Sequence, residues 1–245
     1  MKFILGQKKE MTQIFKEDGQ VVPVTVVSSP WCKVVKVKTK ESKDGYDAVS
    51  IGLPGKKKLR KADKGQLGRL GNLQYIREFR VGDMGKLKRG DEIRIDTFEE
   101  GDRVKVIGTS KGKGFQGVIR RHGFHGQKAT HGTKDQERAH GSIGATEPAR
   151  VFPGMKMPGH MGSDQVTVKN LEIARVDNEK GELYIKGAVP GARGSLLAIS
   201  AEGELKISSP VEEKQAKEEK KEVKKEEVKK EEKKEETPKK EEDKK

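Results

Sequence analysis

The sequence predicts a mainly β protein: a small barrel or sandwich, interrupted by one long irregular arm and followed by a charged tail. Three observations predict it: short apolar runs of period two, the loss of any period over residues 109–165, and a Lys/Glu composition from Pro210 onward. The first runs are 21–27, 33–38, 46–53, 92–95 and 103–107. Turn residues punctuate them, notably Asp18-Gly19, Asp44-Gly45 and Arg89-Gly90-Asp91. Residues 56–91 are basic and dotted with glycine, and Leu59, Leu67, Leu70 and Leu73 support a short helix there, so an insertion is expected. Alternation returns over 166–176, where Val166, Val168, Leu171, Ile173 and Val176 require one slip, and again over 182–189 and 195–207. Asn178-Glu179-Lys180-Gly181 supplies the turn between the first two. The expected organisation is a barrel from 1–108 and 164–209, an arm over 109–163, and a tail over 210–245.

Composition bounds the rest. Of 245 residues, 38% are charged, 31% hydrophobic and 4% aromatic, too little apolar material to pack the whole chain. The tail holds fourteen lysines against fourteen acids, so it is neutral. Residues 1–209 carry 39 Lys and Arg against 25 Asp and Glu, which places the full +14 on the body and favours a polyanionic partner. Opposite charges three and four apart support a disordered or single-helix tail, and Val223 and Val228 form no coiled-coil seam. No stretch approaches the roughly 20 apolar residues of a spanning helix, and the apolar start is too short for a signal segment. A soluble protein without a membrane partner is expected. Cys32 stands alone, which excludes an internal disulfide framework and a cysteine-built zinc site, suits a reducing cytoplasm, and reads as a half-buried thiol.

Residues 109–165 carry eleven glycines, all five histidines and nine Lys or Arg against four acids. A 57-residue loop without a core is uncommon in a compact domain. Phe115, Ile119, Phe124, Ile143, Val151 and Phe152 also separate it from ordinary linkers, so it reads as an arm that orders on a partner. Gly112-Lys113-Gly114-Phe115-Gln116-Gly117 fits a dinucleotide fingerprint, but Arg120-Arg121-His122-Gly123-Phe124-His125-Gly126 follows where a packed helix and a second parallel strand belong. His122 and His125, completed by His131, His140 or His160, could hold zinc. Arg120, Arg121 and Lys128 would repel the cation, and stacking on bases is the better use of these imidazoles. Asp135, Glu137, Ser110 and Ser142 form no recognisable catalytic set, so neither an enzyme activity, a small-molecule substrate nor a cofactor is expected. Lys111, Lys113, Arg120, Arg121, Lys128, Lys134, Arg138, Arg150 and Lys156 recur every few positions between glycines, a pattern that lets a flexible backbone follow phosphates. With the histidines they are the candidate RNA contacts. RNA is preferred to DNA because no recognition helix is evident.

Met11-Thr12-Gln13-Ile14-Phe15, Glu17-Asp18-Gly19, Pro23-Val24-Thr25-Val26 and the run from Gly108 through Gly117 resemble the bacterial-type family of the third protein of the large ribosomal subunit. So do Ala129-Thr130-His131-Gly132, Gly141-Ser142-Ile143-Gly144, Arg150-Val151-Phe152 and Lys186-Gly187-Ala188-Val189-Pro190-Gly191, in order across residues 1–209. The resemblance implies a six-stranded β-barrel of the translation-protein type and an arm at about 111–163 that enters 23S-type ribosomal RNA, its tip near 141–147. It further implies neighbouring ribosomal proteins as partners, an early role in subunit assembly, and an approach to the peptidyl transferase centre. Two features depart from the pattern. Glu10 stands where the family often has glycine, and Ala145, Thr146 and Glu147 occupy the place of a glutamine that some relatives methylate. Glu147 is expected to pair with a cation such as Arg150 or to face solvent.

Overall fold

The computed structural model describes residues 1–42, 44–82 and 87–208; the Lys/Glu tail lies outside them. The strands of the first half are β1 (Lys2–Phe15), β2 (Val21–Ser28), β3 (Cys32–Lys38) and β4 (Ala48–Pro54). A short helix α1 (Lys61–Leu67) precedes β5 (Leu73–Arg80), β6 (Glu92–Ile93) and β7 (Arg103–Thr109). The arm contributes β8 (Phe115–Gln116), α2 (Val118–His122) and β9 (Gly159–His160). The chain then continues through β10 (Gln165–Asp177), β11 (Glu182–Lys186), β12 (Leu196–Ala201) and β13 (Ile207–Ser208).

Six antiparallel strands close into a barrel in the order β1-β12-β7-β10-β11-β2. Closure pairs every strand on both sides over part of its length and so removes the long open edges that a flat sheet of these valines would expose. Ile199 shows the packing logic: it sits opposite Ile4 on one side and Val106 on the other, and all three are fully buried. The turn at Gly19, with φ of 74°, joins β1 to β2 as the Asp-Gly pair predicts. β1 runs through Glu10 with an irregularity between Lys8 and Glu10, so no turn forms there. β10 needs two register shifts, at Val168/Leu171 and Ile173/Arg175, rather than one; Asn170 takes up the first with φ of 62°.

The runs 33–38, 46–53 and 92–95 correct the expected barrel. They form a second sheet, in the order β13-β6-β3-β4-β5, that draws on a wider stretch than the 56–91 insertion. Alternation reports one buried face and is silent about which sheet that face belongs to. The signal that separates them is β4, whose residues from Ala48 to Leu53 are all buried, as befits a strand covered on both faces. The sheet packs on the barrel through one continuous core, in which the Phe3 and Phe79 rings stack with centroids 4.9 Å apart. The leucine run gives α1 as expected, and Leu67 closes over Val35 and Leu73. Leu73, however, opens β5, an edge strand whose Arg77, Glu78 and Arg80 disguise its alternation.

Cys32 is fully rather than half buried. Its thiol donates to the Leu5 carbonyl at 3.4 Å, and burial pushes its pKa up to about 12, so it is inert packing. Among the described residues no helix is long and apolar enough to cross a membrane.

Candidate nucleic-acid interface

β7 and β10 are neighbours in the barrel, with Thr109 opposite Gln165, and the arm is the excursion between them. Its neck continues their ladder. Ser110 N–H donates to the Asp164 carbonyl at 2.9 Å, Lys113 N–H to Met161 at 2.9 Å, and Met161 N–H to Gly114 at 3.0 Å, before β8 pairs with β9. Gly162 must be glycine: its φ is +80°, and a Cβ there would run into the Lys111 carbonyl. Pinning both ends in this way lowers the closure entropy of a long loop.

Beneath the neck lies a lysine that sequence patterning did not single out. Lys8 is buried, and its ammonium donates to the carbonyls of Val189 at 2.9 Å and Gly191 at 3.2 Å. Burial first, and then the Lys111 charge, hold its pKa below the ordinary lysine value. The loop that it fixes packs on the arm's root, since a Cβ on Gly191 would lie 3.0 Å from the Thr109 carbonyl. Lys8 is followed by Lys9, which pairs with Glu182 at the surface, so nothing in the string distinguishes the inward lysine from the outward one.

The next level is held by side chains. Arg121 donates from Nη1 to the Met157 carbonyl at 2.8 Å, and His122 Nε2 lies 3.2 Å from the same oxygen. Gly159 lets Arg121 cross, because a Cβ there would lie 2.7 Å from Nη1. Arg120 donates to Gln116 Oε1 at 3.2 Å. These three candidate RNA residues therefore also brace the arm from within. Val118 is the one buried residue between positions 110 and 164.

The outer surface of the arm, neck included, is open. Lys111, Lys113, His125, Lys128, His131, Lys134, Arg138, His140, Arg150, Lys156 and His160 are all exposed, and so are Phe115, Ile143, Val151, Phe152 and Met155. None of the nine arm lysines and arginines reaches a carboxylate among the described residues, although Asp135, Glu137 and Glu147 lie in the same segment. Glu147 faces solvent and makes no ion pair with Arg150. The histidines do not converge: among the described residues no group of three or more His, Cys, Asp or Glu is placed to hold a metal ion. The Gly112 to Gly117 run leads into α2, a five-residue helix without a following parallel strand, so the dinucleotide arrangement is absent from the described fold.

The structure brings one candidate pair together. Gln127 N–H donates to the Glu137 carbonyl at 2.8 Å, which sets residues 123–127 against 139–141 and brings His125 and His140 to one cleft, with Phe124 in its wall. Outside the arm, a second group of cations gathers around α1. Lys57, Lys58, Arg60, Lys61 and Lys64 are without carboxylate partners among the described residues, whereas Lys56 reaches Asp63 at 3.3 Å. Their signal was the charge run itself, read only as part of an insertion.

A closed barrel that projects a stapled arm of uncompensated cations defines a class: β-barrel proteins built to present an extended basic hairpin. Comparison with known proteins narrows this class. The family model for ribosomal protein L3 matches residues 86–187. Large ribosomal subunit protein uL3 of Oceanobacillus iheyensis is 48% identical over 204 residues, covering 82% of this chain and 97% of that protein. The uL3 of Acetivibrio thermocellus is 50% identical over 203 residues, 81% of this chain and 95% of its own. That of Bacillus thuringiensis is 44% identical, covering 84% and 99%. The chain belongs to the ribosomal protein L3 family, whose members are structural components of the ribosome and not enzymes.

Proposed function

We propose that this protein binds 23S-type ribosomal RNA directly as a structural constituent of the large subunit, beside neighbouring ribosomal proteins, in the cytoplasm. It nucleates an early step of assembly, and its arm buttresses the region of the peptidyl transferase centre. The observation that carries the reading is that, among the described residues, no carboxylate pairs with Lys111, Lys113, Arg120, Arg121, Lys128, Lys134, Arg138, Arg150 or Lys156. Cations left unmatched by the protein are matched by phosphates, and each contact releases counterions. His122, His125, His131, His140 and His160 lie among these cations and suit base stacking or phosphate hydrogen bonding.

Backbone conformation supports the same reading. His131, Lys134, Ala149 and Ser163 have φ between 49° and 61°, a region that costs residues other than glycine of order 1 kcal/mol each. A surface that contacts the arm from outside supplies the interactions that an absent core does not. The barrel docks, the arm fills a crevice between RNA helices, and phosphates that repel one another are bridged.

The test is binding of the full chain to 23S-type RNA over a salt series, with sedimentation of cell extract in parallel. Each phosphate contact adds roughly 0.7 to 0.9 to the slope of log affinity against log salt. A steep slope, and migration with large subunits through a high-salt wash, are expected. A chain that stays in the light fractions would instead be a free nucleic-acid-binding regulator.

A further inference from the structure

The cleft between residues 123–127 and 139–141 has a volume of about 320 Å³ and is lined by Phe124, His125, Gln127, Ala139 and His140, with glycine backbone from Gly123, Gly126 and Gly141. That volume is at the small end of the roughly 300 to 1,000 Å³ of ligand pockets. The lining contains no Lys, Arg, Asp or Glu, which sets the cleft apart from the cationic arm around it. An unscreened phosphate finds no counter-charge inside. A flat, neutral heterocycle finds an aromatic face at Phe124 and hydrogen-bonding edges at Gln127, His125 and His140.

The cleft is built rather than incidental. Gln127 N–H to the Glu137 carbonyl holds its two walls together, and glycine at 126 permits the approach, since a Cβ there would lie 2.6 Å from that same oxygen. Phe124 is half-buried and leans on His122, with ring centroids 6.2 Å apart, and His122 is in turn seated at the Met157 carbonyl. The chain places a cation immediately outside each wall. Lys128 follows Gln127, Arg138 precedes Ala139, and both are exposed without a carboxylate partner among the described residues.

From this arrangement we infer that the cleft receives a single unpaired nucleobase of the bound RNA, stacked on Phe124 and read at its edge by Gln127, with the flanking phosphates on Lys128 and Arg138. A base is recognised this way when it has left its own stack, and an aromatic platform with an amide beside it is the minimal reader. The inference rests on the RNA-contact reading of the arm. It adds that the arm does more than neutralise charge: it sets register, because one base fits one place.

The test uses whole large subunits assembled with the full-length protein. Base-face probing is done with dimethyl sulfate and a carbodiimide, and backbone cleavage by hydroxyl radical maps the arm's path. With the natural chain, one nucleotide lying along the arm's path is expected to be protected on its pairing face without a pairing partner in the RNA. In Phe124→Ala that nucleotide becomes about tenfold more reactive, the scale of one lost base stack, Gln127→Ala raises its reactivity as well, and Phe124→Tyr restores protection. If the natural arm leaves no backbone footprint, the RNA-contact reading itself fails. If the footprint is present but no base changes reactivity in either variant, the cleft is not a base site. Equilibrium dialysis of the isolated full chain with the four nucleoside monophosphates is expected to show no micromolar binding; such binding would overturn the assignment in favour of a free nucleotide.

Discussion

On the barrel, Lys9 reaches Glu182 at 2.6 Å, Lys186 reaches Glu172 at 3.0 Å, and Lys2 reaches Asp102 at 2.9 Å. In the arm, Lys134 stands beside Asp135, and Arg138 beside Glu137, yet neither forms a pair. The difference lies in the backbone. The closed sheet holds its side chains at fixed spacing, so opposite charges meet: Lys186 on β11 faces Glu172 on the neighbouring β10, and Lys9 on β1 reaches Glu182 on β11 across the intervening β2. Along an irregular glycine-rich path, adjacent side chains diverge, and their charges remain available to something else. The apolar residues divide the same way: Ile199 is fully buried in the barrel, while Phe152 in the arm is 53% exposed. A fold can therefore hold a large net charge where it spends none on itself.

The sharpest way to break this contrast is to remove one side of it. Replacing residues 118–157 with a short glycine linker is expected to leave barrel melting nearly unchanged, since Val118 is the only buried residue lost. Incorporation into subunits, or peptide-bond formation by them, should fall by orders of magnitude. Normal subunits from that variant would dissolve the functional meaning of the arm. The reverse experiment is Ile199→Ala. Truncating a fully buried isoleucine between Ile4 and Val106 should cost about 2 to 5 kcal/mol in denaturant unfolding. A loss below about 1 kcal/mol would mean that the barrel wall is looser than its burial implies.

How much of this was legible in the sequence follows from the same physics. The alternation of Val104 and Val106, and the Asp-Gly and Asn-Glu-Lys-Gly turns, are local, and they predicted β2, β7, β10 and β11 to within a few residues. The assignment of β3, β4 and β6 to a second sheet depends on long-range pairing, such as Cys32 opposite Ile93, which no local period encodes. The arm announced itself by glycine and charge density. Its stapling did not: the seat of Arg121 and His122 on Met157 spans 36 and 35 positions. Phe124 and Gln127 were visible as residues, but their cleft exists only because Gln127 pairs with Glu137. Glu17-Asp18-Gly19 and the glycine-rich run after Gly108 carried the family resemblance, which gave the six-stranded count that periodicity alone left open between barrel and sandwich.

Acid offers a smaller effect that separates the two regions. Asp102 is held below the ordinary carboxylate range: burial works against this, and the Glu99 N–H and the Lys2 ammonium outweigh it. Glu78 is lowered by Lys38 and Tyr46, and Glu172 by Lys186. A depressed folded-state pKa contributes stability above the unfolded value, about 4, and loses it as pH falls through the lower folded value. Stability of the barrel and of the sheet packed on it should thus be flat from pH 7 to about 5 and decline toward pH 3. Asp102→Asn should flatten part of that decline, as read by thermal melting across the series. An unchanged pH profile would mean that the Lys2–Asp102 contact adds nothing to folding, as many exposed pairs do.

The smallest expected effect concerns residues after 209, whose fourteen lysines and fourteen acids alternate in short blocks. If charge acts on RNA only where it is unmatched, a segment that neutralises itself contributes little, however many lysines it holds. At a Debye length of about 8 Å, blocks of opposite sign this close together largely cancel at the distance of a phosphate. Deleting the tail should change RNA affinity less than about twofold and leave the salt slope within one unit, the contribution of a single contact. Titrations of the full and shortened chains, run side by side at two salt concentrations, decide it. A tenfold loss with a shallower slope would show that tail lysines reach phosphate despite their neighbours. The rule drawn from the barrel and the arm, that only unpartnered cations bind, would then have to be abandoned.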